Sequence, residues 1–162
     1  MTATESEAAP VLAGRREWTA LVVLALPLLL VSMDVSILYF AVPQISADLH
    51  ASPTQQLWIF DIYGFVLAGL LVTMGAVADR IGARRLLLVG ALAFSATSLF
   101  AAYAGSAGQL IAARAVLGIA GATLMPSTLS MVRALFHDER QRGQAIGAWT
   151  GVMTAGWAWA RC

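Results

Sequence analysis

From Trp18 to about Phe40 the chain is an apolar run broken by one charge, Asp34. A bilayer's hydrocarbon is crossed by roughly 20 apolar residues in helical form, at about 1.5 Å rise per residue. The pattern recurs from about Leu57 to Ala78, Leu86 to Tyr103 and Gln109 to Val132, with a shorter run from Gln144 to about Ala160. A cleavable leader would have an apolar region of only about 7–15 residues, and four further runs follow the first. The spacing therefore predicts an all-α polytopic membrane protein of about five transmembrane helices.

Composition leads to the same place. Of 162 residues, 59% are hydrophobic and 12% charged, where a soluble domain averages about 25% charged. Too few polar residues are present to cover a globule, so lipid must solvate most of the surface. A net charge of +1 gives no reason to expect nucleic acid. Cys162 is the last residue, so no internal disulfide can form. No phosphate-binding glycine loop, nucleophile elbow, zinc-helix motif or cluster of metal ligands is found, and His50 and His137 read as solvated loop residues. No enzyme activity, cofactor or metal is expected. Residues 1–17 are polar, small and mixed in charge, the pattern of a disordered tail.

The connections carry the charge. GAVADRIGARR, Gly75 to Arg85, joins two spans so tightly that they must be antiparallel neighbours. Pro43 to Gln56 is a longer polar connection, Gly105 to Gly108 a short turn, and Arg133 to Gly143 a charged loop. Pro126 falls inside the fourth span, where its missing N–H predicts a kink. Arg15, Arg16, Arg80, Arg84, Arg85, Arg133, Arg140 and Arg142 all fall on one side of this topology; Arg161 alone departs. The positive-inside rule then puts the N-terminus in the cytoplasm.

Three ionisable residues lie within the spans: Asp34, Asp61 and Arg114. A mid-bilayer charge costs about 2.5–3.5 kcal/mol even on the lenient insertion scale, so such groups face protein or a wet cavity. Counting from the expected helix ends gives depths of about 9, 6 and 7.5 Å, one layer in one half of the membrane. Near the interface Asp61 and Arg114 could also reach water without any role. Gly64, Ala68 and Gly75 share a helix face with Asp61, and Gly118 and Gly121 follow Arg114 in the same way, as small residues do where helices pack closely.

The Gly75 to Arg85 stretch resembles the signature loop of the major facilitator superfamily, matched at Gly75, Asp79, Arg80, Gly82, Arg84 and Arg85, with Ala83 in place of a basic residue. Asp34-Val-Ser36 through Ala41-Val-Pro43 is similar to the helix 1 motif of the family's fourteen-helix drug/proton antiporter branch, with Ser36 for Thr and Tyr39 for Asn. Arg114-x-x-x-Gly118-x-x-Gly121 resembles its helix 4 motif, with Leu117 at a usually polar position. Trp58 to Tyr63 resembles members that export quaternary ammonium compounds. Gly143 to Gly147 resembles the start of the helix 5 motif, whose Gly-Pro centre is missing.

The resemblance implies a partial amino-terminal transporter domain over residues 18–156, in the plasma membrane. Its partners would be the bilayer, protons and lipophilic organic cations. Asp34 would handle protons and the cation, Asp61 would add charge for the substrate, and Arg114 would change partner as protons move. The signature loop would act as a conformational hinge, and Gly118, Gly121 and Gly147 as packing positions. A metabolite transporter of the same superfamily, and a non-transporting membrane fragment of a disrupted gene, are the alternatives. The ending, Trp157 to Cys162, departs from the family pattern. Codons TGG GCN TGG GCN CGN TGY read two bases later encode Gly, Leu/Met/Val, Gly, then Ala/Pro/Ser/Thr and Leu/Met/Val. That admits the missing Gly-Pro centre, so a shifted reading frame near Gly156 is expected.

Overall fold

In the computed structural model the described residues, 14–136 and 138–159, form five helices and no strand. They are α1 (Arg15–Asp48), α2 (Pro53–Ile81), α3 (Ala83–Ala102), α4 (Ala107–Leu135) and α5 (Glu139–Trp159). Helices α1 to α4 each contain a segment long and apolar enough to cross a membrane. The fifth, which opens on Glu139, Arg140 and Arg142, is not among them. The expected tail over 1–13 and the expected frame-shifted residues 160–162 lie outside the described residues, as does His137.

Every helix begins earlier than the apolar runs suggest, because polar caps belong to the helices they start. Gly14 N–H donates to Glu17 Oε2 at 2.7 Å, so Arg15 to Glu17 are helical and not part of a disordered tail. At α2, Ser52 and Gln55 satisfy each other's backbone N–H at 3.0 and 3.3 Å, with Pro53 in the first helical position. That reciprocal pairing is a capping box, and a leading Pro lacks only an N–H that would have no helical partner. Ser106 Oγ accepts from Gln109 N–H at 3.3 Å to start α4. Asp138 Oδ2 accepts from Gln141 N–H at 3.0 Å ahead of α5.

The first helix also ends later, at Asp48 instead of about Phe40, and runs through both Pro27 and Pro43. A proline deletes one backbone bond, which membrane helices tolerate when packing holds the next turn. Here Ile45 and Leu49 pack on the buried cluster Leu38, Ile59 and Leu110. The connection that follows shrinks to a turn with His50 at φ 48°. Between α2 and α3 the break is a single residue, Gly82, at φ 94°. Pro126 is accommodated inside α4, which continues to Leu135.

The fourth helix is the central post. Of its most apolar stretch 56% is buried, against 11% for α2. Helices α2 and α3 both lie along α4 and touch each other far less, while α1 packs on α5 and α4. Trp149 Nε1 of α5 donates to Thr128 Oγ1 of α4 at 3.2 Å. Large apolar side chains such as Phe65, Val72 and Leu92 stay exposed, a surface that only lipid or further protein would suit. At one end Trp18 meets Phe136 edge-on, with ring centroids 5.4 Å apart. The start of α1 and the end of α4 therefore share a side, while the Leu38–Ile59–Leu110 cluster closes the other.

Candidate functional site

The long α1 carries Asp34 against α4, and there the carboxylate meets Arg114. Arg114 Nη1 donates to Asp34 Oδ2. The arginine's Nε donates to the Ile59 carbonyl of α2 at 3.4 Å. Its guanidinium carbon stands 4.6 Å from the centroid of the Tyr63 ring, also on α2. Three helices thus hold one cation, from a carboxylate, a carbonyl and an aromatic face. Arg114 is 3% exposed, and a buried charge persists only where it is paired and hydrogen-bonded. The Asp34 side chain keeps 15% exposure.

That exposure faces a cavity of about 580 Å³ between α1, α3 and α4. Its walls are mainly apolar, with Met33, Ile37, Phe94 and Leu99 among them, and Ser95 and Ser98 add hydroxyls from α3. An apolar cavity with one accessible carboxylate suits a ligand that is greasy and positively charged.

Two glycines let α2 come this close to α4. A Cβ at Gly118 would stand 2.8 Å from the Tyr63 carbonyl oxygen, and one at Gly121 would stand 3.0 Å from the Tyr63 hydroxyl. Gly75 approaches Pro126 Cβ more loosely, at 3.9 Å. At Gly147 nothing lies within 4 Å of a built Cβ, so the packing position expected there is not one among the described residues. Helical geometry gives the reason: Ala145 and Trp149 form the face of α5 that packs inward, and a residue midway between them points elsewhere.

Asp61 is exposed and forms no ion pair among the described residues; Arg114 selects Asp34. Gly64 and Ala68 are exposed on the same helix, so their expected seam has no partner here. The earlier helix starts also deepen two of the charges. Asp61 lies eight residues and Arg114 seven residues into their helices, about 12 and 10.5 Å at helical rise. The loop expected from Gly75 to Arg85 is reduced to Gly82: Asp79 and Arg80 occupy the last turn of α2, while Arg84 and Arg85 open α3. All four are exposed and make no ion pair among the described residues. A smaller cavity of about 220 Å³ brings Asp79 and Gly75 of α2 beside Pro126, Ser130 and Arg133 of α4.

Two residues that shape the site were not singled out by spacing. Tyr63 sits under the arginine, and Gly90 of α3 faces Thr123 of α4. A Cβ on Gly90 would fall 2.0 Å from Thr123 Oγ1. Leu86, Gly90 and Phe94, four residues apart, are all buried on one face of α3, but two large residues around one glycine gave no sequence signal of close packing.

The family described as Major Facilitator Superfamily matches residues 24–160. The chain is 53% identical over 141 residues to the multidrug efflux pump LfrA of Mycolicibacterium smegmatis, covering 87% of this chain and 28% of that protein. It is 43% identical to the methyl viologen resistance protein SmvA of Salmonella typhimurium, with the same 87% and 28% coverage. To the puromycin resistance protein pur8 of Streptomyces alboniger it is 37% identical, again over 87% and 28%. The chain thus spans a little over a quarter of the length of these curated relatives.

Proposed function

The chain belongs to the Major Facilitator Superfamily, and on that premise we propose that it supplies the amino-terminal part of a secondary exporter. The exporter belongs to the drug/proton antiporter branch and exchanges protons for lipophilic organic cations. The observation that carries the reading is the Asp34–Arg114 pair on the wall of an apolar cavity. A proton on Asp34 releases the guanidinium, and an organic cation in the cavity competes for the same carboxylate. Proton and cation become alternative occupants of one site, which is what obligatory exchange needs. Relatives named for multidrug efflux and for methyl viologen resistance support that substrate class. Asp61 adds a second acidic group for the substrate. Gly75, Asp79, Arg80, Gly82, Arg84 and Arg85 form a hinge between conformations. The protein sits in the plasma membrane with its N-terminus in the cytoplasm.

The test is made in the complete exporter, reconstituted in vesicles with an imposed proton gradient. Asp34→Asn should abolish efflux of a monovalent cationic dye and weaken its binding, with Asp34→Glu retaining part of both. Normal, proton-dependent efflux by Asp34→Asn would remove Asp34 from the exchange.

The 28% coverage of the relatives favours a second reading for these residues on their own. Transporters of this family bind substrate between two six-helix halves, and these five helices supply neither half. Cells producing the 162 residues alone should accumulate dye as cells without them do. Lower accumulation would show that the isolated helices transport.

A further inference from the structure

We infer that Tyr63 is a positioning residue for Arg114, the platform that keeps the guanidinium in place when Asp34 lets it go. It matters to transport only if the pair opens during exchange, and so rests on that reading. Once Asp34 is neutral, Arg114 has lost its one charged partner among the described residues. The arginine is 3% exposed, so water reaches little of it. Two contacts persist: the Ile59 carbonyl at 3.4 Å and the Tyr63 ring at 4.6 Å. The carbonyl bond is long, near the limit for a hydrogen bond. The ring is therefore the stronger of the two holds. An aromatic face within about 6 Å of a cation attracts it through the ring quadrupole, most strongly where both are desolvated.

Tyr63 is itself 6% exposed, and its hydroxyl has no hydrogen-bond partner among the described residues. An orphaned phenol in a core is a cost, so the hydroxyl does not explain the placement; the ring does. Two positions of α4 make room for Tyr63 and its neighbours Val66 and Leu67. Gly118 leaves room for the Tyr63 carbonyl and Gly121 for the phenol edge, positions where a Cβ would stand at 2.8 and 3.0 Å. Along α4 the arginine thus reaches over α2, Gly118 lets the two backbones approach, and Gly121 leaves room for the Tyr63 phenol beneath the guanidinium.

The experiment uses the 162-residue chain in lipid nanodiscs with ¹⁵N-labelled arginine, and reads the Arg114 Nε–H signal, assigned by its loss in Arg114→Lys. The Nε–H donates to the Ile59 carbonyl, and with the guanidinium carbon 4.6 Å from the ring centroid its proton also lies within the ring current, so it is shifted upfield and exchanges slowly with water. Asp34→Asn removes the carboxylate's charge, as a proton does, without changing the side chain's shape, and the upfield shift and slow exchange should both survive it. Adding Tyr63→Phe to Asp34→Asn should leave both unchanged. Adding Tyr63→Leu should speed exchange about thirtyfold, the factor equivalent to a desolvated cation–π contact of about 2 kcal/mol. Loss of the upfield shift or of the fold in Asp34→Asn alone would overturn the inference, since the ring would then be unable to hold the cation. So would equal exchange rates in the Phe and Leu variants. Failure of the exchange reading would appear in dye efflux instead, with the arginine signal untouched.

Discussion

Arg114 and Asp34 are each a liability without the other. Truncating Arg114 to Ala leaves a carboxylate in a largely apolar surround, and breaking a buried pair in this way costs about 3–5 kcal/mol. Replacing both together, Arg114→Leu with Asp34→Leu, should recover most of that loss, since well-packed apolar residues often match a buried ion pair. Unfolding by sodium dodecyl sulfate in mixed micelles compares the three forms; a double variant as unstable as Arg114→Ala alone would contradict the pairing. Gly90 gives a second residue-scale outcome. Gly90→Ala pushes a methyl into Thr123, an overpacking expected to cost about 1–3 kcal/mol. Thr123→Ala removes the atom 2.0 Å away and should rescue it, as coupled neighbours do. The same unfolding assay reads the rescue. The sequence made Asp34 and Arg114 visible because a charge in an apolar run stands out by itself. It hid Gly90, whose neighbours four residues away are Leu86 and Phe94 and form no small-residue stripe. It hid the work of Tyr63 as well, because a cation–π contact between two helices leaves no mark on either.

At the scale of the element, existence and order were legible while ends were not. Five apolar runs became five helices, but every start was placed too late. Ser52-Pro53-Thr54-Gln55 reads as loop by hydropathy and as a helix start by capping chemistry, and capping chemistry prevailed. Pro43 misled in the opposite direction: local propensity ends a helix there, and packing of Ile45 and Leu49 carries it on. The α2–α3 joint makes a sharper demand. At φ 94°, Gly82 occupies a conformation that costs a residue with a side chain about 1–3 kcal/mol. Gly82→Val should therefore lower the unfolding midpoint clearly. Gly108→Ala, in the first turn of α4 with open space around it, should leave the midpoint unchanged or raise it. Equal effects would show that positive φ is not what the joint requires. Arg84 and Arg85 open α3 against the helix dipole, which disfavours cations at an N-terminus. Helix stability therefore does not account for their presence there.

For the whole molecule, the rule of charge placement makes a directional claim. Topology reporters fused after Asp48 and after Arg85 should report opposite sides, the second in the cytoplasm. One sidedness at both points would break the alternation of helices. The contact of Trp18 with Phe136 joins two of the arginine-bearing ends directly. What no periodicity foretold was the unequal sharing of contacts, in which α4 is the post and α2 and α3 lean on it. This has a bearing on biogenesis. A ribosome delivers α1, α2 and α3 before their common support exists. Until residue 107 and beyond have entered the bilayer, α2 and α3 are tethered at Gly82 but have little to hold each other. Assembly must wait for the fourth span, and in that interval the nascent chain depends on whatever in the membrane shelters unpaired helices from proteolysis.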